Sequence, residues 1–533
     1  MSISLKGVSV SGGVKNSVTA ATPMLLTIDT NLDVLTIYLG FAGSTNVTVD
    51  WGDGSSDDTY ITPGSKSHTY GSNGIYQISI TGALAHFDSL VAAGDAEFIS
   101  LTSVDDWGTL GLTSLENGFY ACANLTSVPS TLPSTVTNTA SMFSYATIFN
   151  QNIGSWNTAA VTNMNYMFSN ATLFNQNIGG WNTAAVTDMS HMFDGTFSSS
   201  VFNNGGSSTI NNWVTSAVTN MSYMFSHATA FDQNIGSWTT SAVTNMSYMF
   251  ESATVFNNGG STTIDSWNTA AVTNMSSMFT GAAAFNRSLN SWNTAAVTNM
   301  SGMFQVATAF NGNIGSWNTA AVTDMSNMFA DGTVAFNQNI GSWNTSAVTT
   351  MATMFGSAAA FNNGGSSTIN NWNTAAVTDM QAMFQSAAGF NQSLNSWNTA
   401  AVTTMQSMFN AATVFNGNIS SWVTSAVTSM SNMFGDAIAF DQNIGSWDTS
   451  AVTNMGNMFD GASVFNQALT KSGNIWNTAN VTIMGNMFND AIAFDQDLSG
   501  WCVSLIGSLP SGFYTNTPAW NKTSRVPVWG TCP

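Results

Sequence analysis

Apolar side chains return at fixed places within a unit of about 25 residues, and that unit is copied down most of the chain. In residues 149–173, FNQNIGSWNTAAVTNMNYMFSNATL, the apolar positions are Phe149, Ile153, Trp156, Val161, Met164, Met167 and Phe168, and Phe174 opens the next copy. Asn, Thr, Ser, Gly and Ala fill the rest. Val161, Met164, Met167 and Phe168 keep a three-and-four rhythm, whereas the preceding AAVT reads as a strand. The pattern predicts a brief parallel strand over 159–163, one helical or 3₁₀ turn through Met167 and Phe168, and a looping return. A unit this poor in apolar groups cannot offset the entropy of ordering itself, so copies must stack and cover one another's faces. Tryptophan marks the period from Trp156 to Trp501, which predicts a mainly β solenoid of about 14 turns over residues 142–501. Such a rod offers long faces rather than one pocket, so function is sought on its surface.

Identical placement in every copy assigns the Met and Phe positions to the core rather than to a metal-binding or adaptable target surface. The Trp row is expected to be buried too, because an exposed line of indoles would aggregate. Asn157 and its counterparts Asn182, Asn268, Asn293, Asn318, Asn344, Asn373 and Asn398 read as a structural amide ladder serving buried backbone groups, in preference to a row of glycan-binding amides. The position between the two Met residues varies freely, which marks solvent. It carries Tyr166, His191, Tyr223 and Tyr248 in the early turns, an aromatic stripe suited to recognition if the register holds, with drift among copies as the plainer account. Four copies lengthen the segment between Phe and Trp: 202–213, 256–267, 361–372 and 465–476. Three of these begin FNNGGS, and inserts at one point of a solenoid emerge on one edge, so Asn204, Asn258 and Asn363 are candidate ligand contacts; a merely flexible bulge is the alternative.

Charge narrows the partners. Acidic residues outnumber basic ones 27 to 7, the net charge is -20, and between residues 142 and 501 the basic side chains are Arg287 and Lys471. Such a surface cannot neutralise a run of phosphates and is repelled by anionic lipid, so no nucleic-acid partner is expected. No apolar run approaches the ~20 residues of a membrane span, so no insertion is expected either. The N-terminal residues lack the continuous apolar core of a secretory signal, leaving open a removed signal or another route out of the cell such as assembly into a virus particle. Three cysteines and four histidines make a metal site improbable, and no metal or cofactor is expected. Cys502 and Cys532 bracket the last segment, where a disulfide would close an end cap and contribute roughly 3–4 kcal/mol; two free thiols are the alternative, and Cys122 stays unpaired. Isolated acids and the lack of a Gly-x-Ser-x-Gly elbow speak against an enzyme.

Residues 47–82 depart from the repeat. Val47, Val49 and Trp51 alternate into a Gly-Asp-Gly turn, and Tyr70, Tyr76, Ile78 and Ile80 follow in a hairpin pattern. With Trp51–Ser55 (WGDGS), His68–Tyr70, Gly74 and Tyr76, this segment resembles the PKD family of immunoglobulin-like β-sandwiches. The resemblance implies that Asp53 fixes a turn rather than binding calcium. The repeat phrase SWNT..VTNM..MF and the terminal WGTCP are similar to BspA-like leucine-rich-repeat surface proteins, which include a large Mycoplasma repeat family of unassigned function. That similarity implies a right-handed leucine-rich-type solenoid, extracellular display and, in some members, adhesion. The expected division is an N-terminal arm (1–23), a PKD-like sandwich (24–85), degenerate repeats forming an N-terminal cap (86–141), the solenoid (142–501) and a C-terminal cap (502–533). The expected function is non-catalytic recognition, on a cell surface or virus particle, of a host-cell surface protein or glycan, with possible homo-oligomers or attachment to a larger particle. A filament or coat subunit assembling with copies of itself is the second expectation.

Overall fold

The structure is a computed structural model that describes residues 21–32, 35–90, 98–469 and 476–533. It is mainly β with almost no α-helix. Alternation builds the first body: along β1 (Met24–Asp29) every second side chain is buried. Five further strands follow, β2 (Thr36–Asp50), β3 (Asp58–Tyr60), β4 (Gly64–Thr69), β5 (Ile75–Phe87) and β6 (Leu101–Trp107). All pairings are antiparallel and belong to one network, in the order β3-β2-β5-β1-β6, with β4 also on β2. A sandwich of two separate ladders is therefore not what the pairing gives. The long β2 carries β4 on its first half and β3 on its second, and a register shift between Ala42 and Thr45 lets it bend. Nor does this body end at residue 85, because β5 runs to Phe87 and β6 adds to β1. Of the expected N-terminal arm, residues 1–20 lie outside the described residues.

The turn at residues 51–55 is held as the resemblance implied. The Asp53 carboxylate accepts the Ser55 N–H at 3.0 Å and meets His68 Nε2 at 2.8 Å, and these bonds, Ser55 foremost, lower its pKa to about 2. His68 stacks on Trp51, whose indole N–H reaches Asp58.

The sheet hands over to the repeats without a gap. His86 bridges Ser114 in parallel, Ser114 bridges Asn138, and the chain of bridges continues through Asn163, Asp188 and Asn220 to Ile483. Each repeat thus pairs with the next at one residue, which makes the repeats a solenoid. The strand expected over 159–163 is reduced to that single bridge at Asn163; residues 159–160 form a turn. The helical turn expected through Met167 and Phe168 is a run of turns in which Tyr166 and Asn170 have left-handed backbones, φ 55° and 56°.

Those left-handed residues set the direction of the peptide groups. The N–H groups of Met164, Tyr166, Phe168 and Asn170 donate forward to the carbonyls of Asp188, Ser190, Met192 and Asp194 at 2.6–3.1 Å. The carbonyls of Asn163, Asn165, Met167 and Ser169 accept from the turn before, at 2.8–3.1 Å. Four peptide units per turn therefore lie along the rod axis with their N–H ends pointing toward the C-terminal end. At the start of the rod β5 and the residues just after it supply the missing donors: His86 Nε2 to Glu116 O at 2.8 Å and Ser89 Oγ to Tyr120 O at 3.3 Å.

The core is a set of axial stacks. Trp and Phe rings of successive turns lie nearly parallel, as in Trp156–Trp181 at 6.3 Å and Phe168–Phe193 at 5.8 Å. The Trp row is buried, and each indole N–H donates to a backbone carbonyl of the preceding turn, Trp181 to Ile153 and Trp238 to Ile210 at 3.0 Å. The Met residues are buried as well. Asn157 and its counterparts are exposed, and each carboxamide accepts the N–H two residues on in its own turn, Ala159 at 3.2 Å. The inter-turn amide ladder runs instead through the Asn after Phe. Asn150 accepts from Asn175 N–H, Asn175 from Asn203, Asn311 from Asn337, and Asn337 from Asn362, at 2.8–3.0 Å. A buried Thr row, Thr158 to Asn182 O and Thr294 to Asn318 O at 2.9 Å, forms a second ladder. At the far end Cys502 and Cys532 are joined, and Cys122 is buried, with its thiol pushed above its ordinary range by that burial.

Candidate functional site

The register places the stripe residues in one line. Tyr166, His191, Tyr223 and Tyr248 all occupy the left-handed position of their turns, φ 55–58°. Their rings stack face to face: Tyr166–His191 at 4.1 Å, His191–Tyr223 at 4.4 Å and Tyr223–Tyr248 at 4.4 Å, each within 10° of parallel. Because the faces are used on one another, the stack offers only ring edges and its two end faces, on Tyr166 and Tyr248. Burial, then the neighbouring Tyr248 and Glu251, pushes the Tyr223 phenol up to about 12.

One end of the stack is at Tyr166. In the two turns before it the same left-handed position holds Asn117 and Ser141, which are too small to continue the stack. A cleft of about 600 Å³ lies there, lined among others by Ser141, Tyr120, Tyr145, Tyr166, Asp194 and Phe197. Tyr120 meets Tyr145 edge-on at 5.6 Å, and Phe197 lies 6.3 Å from Tyr145. Phe197 is 78% exposed, the most exposed large apolar side chain among the described residues. Tyr223 also lines the cleft, while Tyr248 stands at the far end of the stack.

Phe197 is held out by a short excursion that the sequence reading missed. From Phe168 to Phe174 the chain takes the usual short path, whereas between Phe193 and Phe202 it carries DGTFSSSV. Asn170 Oδ1 anchors the excursion by accepting Phe197 N–H at 3.0 Å and Ser198 Oγ–H at 3.2 Å. A side chain at Gly195 would sit 2.3 Å from Ser200 N, so only glycine fits that turn. Asp194, buried at the base, uses both oxygens: Oδ1 accepts from Thr196 N and Oγ1, and Oδ2 meets His191 Nδ1 at 2.9 Å. The signal for this site in the sequence was spacing, a step of nine positions from one Phe to the next where six is usual.

The inserted segments do not supply ligand contacts through their asparagines. Asn204, Asn258 and Asn363 are fully buried, and each Oδ1 accepts the N–H of Ile178, Ile235 or Ile340 in the turn before, at 2.9 Å. Each also donates to a carbonyl of its own insert, at Ser207, Ser261 or Ser366. The inserts fold into pairs of short 3₁₀ helices, Asn204–Gly206 with Ser208–Asn212 and likewise in the next two, and the Asn supplies the acceptor that the detour takes away from the Ile. The fourth long segment lies partly outside the described residues. Among the described residues no cluster of three or more His, Cys, Asp or Glu could hold a metal ion, and no helix is long and apolar enough to cross a membrane.

Comparison with known proteins agrees with a repeat architecture. A family model described as a Mycoplasma protein of unknown function, DUF285, matches residues 91–205, 197–263, 258–368, 334–442, 364–472 and 444–525. The chain belongs to that family. No curated protein matches it. Among solved structures, a chain in the crystal structure of a TLR13–ssRNA13 complex is similar over 73% of this chain and 69% of that one, at 10% identity and a TM-score of 0.19.

Proposed function

We propose that this is a non-catalytic recognition protein, displayed outside the cell or on a virus particle, that engages a host-cell surface protein or glycan through the early turns of a leucine-rich-type solenoid. The observation that carries the reading is the aromatic cleft, because four rings and an exposed Phe197 gathered on one face are costly to leave in water without a partner. The PKD-like N-terminal body closes the start of the rod and orients it. The polar arrangements nearby favour binding over chemistry. His191 is paired with Asp194, but no hydroxyl or thiol bonds its other ring nitrogen among the described residues. Ser226 stands between His227 at 2.9 Å and Glu251 at 3.3 Å, so the carboxylate orients the hydroxyl rather than the imidazole, and Ser226 is fully buried. The test is binding of the full chain and of Phe197→Ser to whole host cells and to a glycan array. Saturable binding by the native chain, weakened at least about tenfold in the variant, is expected; equal binding by both would remove the cleft from the reading.

A second reading, a subunit that polymerises, is favoured by the far end of the rod. The axial N–H groups of Gly512, Tyr514 and Asn516, in the last stacked turn, meet no acceptor among the described residues. An open row of donors is a template for another chain. Sedimentation of the pure protein decides: a discrete species supports recognition, and filaments support assembly.

A further inference from the structure

Resting on that recognition reading, we infer that the cleft over Ser141 is a cage for a quaternary ammonium group of the choline type. Three observations carry it. The rings of Tyr120, Tyr145, Tyr166 and Phe197 surround the cleft, and Tyr166 brings an end face of the stack to it. A cation over aromatic faces is attracted by their negative quadrupoles, most strongly where water is excluded.

The second observation is charge. Asp194 lies at the base of the cleft, no Lys or Arg lines it among the described residues, and the chain carries a net charge of -20. Burial first and then the field of Asp194 raise the Tyr166 phenol, and burial, Tyr120 and Asp194 raise that of Tyr145, so the carboxylate is felt at both walls. The third observation separates one kind of cation from another. Three of the roughly four acceptor positions of the Asp194 carboxylate are already taken, two by Thr196 and one by His191, so the buried group supplies field with little acceptor capacity to spare. A primary ammonium, with three N–H donors, would give up its bonds to water with at most one replaced by that group, which is costly. A tetraalkylammonium has no N–H to satisfy and loses little. The empty place in the stack supplies the room, since Ser141 sits where the next four turns carry a ring.

The experiment is titration of the full chain, by calorimetry and saturation-transfer NMR, with choline, with its neutral carbon isostere 3,3-dimethylbutan-1-ol, and with ethanolamine. Choline is expected to bind in the millimolar range or better, with the isostere and ethanolamine roughly tenfold weaker. Two variants locate the site. Ser141→Tyr completes the stack with a residue that the next turn tolerates at the same backbone angles and should abolish binding. Asp194→Asn keeps the shape and should cut choline affinity severalfold while leaving the isostere unchanged. Circular dichroism and thermal melting confirm that both variants fold. Equal binding of choline and its isostere would overturn the inference, as would choline binding that survives Ser141→Tyr. Absence of choline binding by a chain that still attaches to cells through Phe197 would overturn it while leaving the recognition reading in place.

Discussion

A left-handed backbone at the same place in every turn is the residue-scale fact from which the solenoid follows. It aims alternate N–H groups along the axis, and it is written in the sequence by side chains that rarely adopt it. Thr353 (φ 56°) and Val306 (φ 59°) are β-branched, and Val306 has a partly exposed side chain that gains little from packing. Replacing it with asparagine, which tolerates this region, should stabilise the protein by about 1 kcal/mol, read as a higher denaturant midpoint at unchanged slope; a lower midpoint would mean that the Val side chain contributes more than its backbone strain costs. The freely varying position was legible in the sequence as solvent-facing, and the Tyr166–Tyr248 stripe did align. Its backbone angle was not legible, because Tyr, His, Ser, Thr, Ala and Asn share no propensity that announces it. The amide ladder shows the same limit. Several asparagines recur along the repeats, among them the one after Phe and the one after Trp, and periodicity alone cannot say which points at its neighbour. Asn311 accepts Asn337 N–H at 3.0 Å and the Gln338 side-chain amide at 2.9 Å. Asn311→Ala should therefore cost roughly 1 kcal/mol, whereas Asn311→Asp should be nearly neutral, since Asp232 and Asp441 fill the same role in other turns.

At the scale of elements, the sheet and the repeats are held by different interactions and should respond differently to acid. The Asp53 turn joins the end of β2 to β3, and its carboxylate has a pKa lowered to about 2 from an ordinary 3.8. A carboxylate depressed by folding stabilises the folded state above its unfolded value and loses that contribution as pH falls through its folded value. The sheet should thus weaken between pH about 4 and about 2. Asp53→Asn should melt lower than the native chain at pH 6 and approach it at pH 2, when Trp51 fluorescence and thermal melting are followed together; a constant gap would assign the turn's stability to the backbone alone. The Asp53 role came from the family resemblance, whereas the hairpin pattern and the Gly-Asp-Gly turn were readable from alternation and turn chemistry. That the strands join into one network was not, because it depends on β2 and β5 being long enough to serve two partners, and on β6, whose LTSVDDW lies beyond the point where the repeats were expected to begin.

The whole molecule is a rod whose stability is carried from turn to turn, and its cooperativity should survive removal of a complete unit. Every stack and ladder in the middle of the solenoid contacts only the turn before and the turn after, through the Trp and Phe rings, the Asn150-type amides, the Thr158-type hydroxyls and the axial peptides. Residues 286–310 form one such unit, running from the asparagine after Phe285 to Phe310. Deleting them joins Phe285 to Asn311, which restores the same Phe-Asn junction, and sets Phe285 beside Phe336 in the place that Phe310 holds now. Such a chain should melt in one transition within a few degrees of the parent, with unchanged near-ultraviolet ellipticity per tryptophan. Deleting only 286–298 removes Trp292 and leaves Met300, Met303 and Phe304 without their half-turn partners, and should give a chain that melts in two steps or aggregates. The cleft lies several turns away from the cut, so choline binding and cell attachment should be unaltered in the first deletion. Loss of binding there would mean that the far turns reach the early ones through the rod, which nearest-neighbour stacking does not allow.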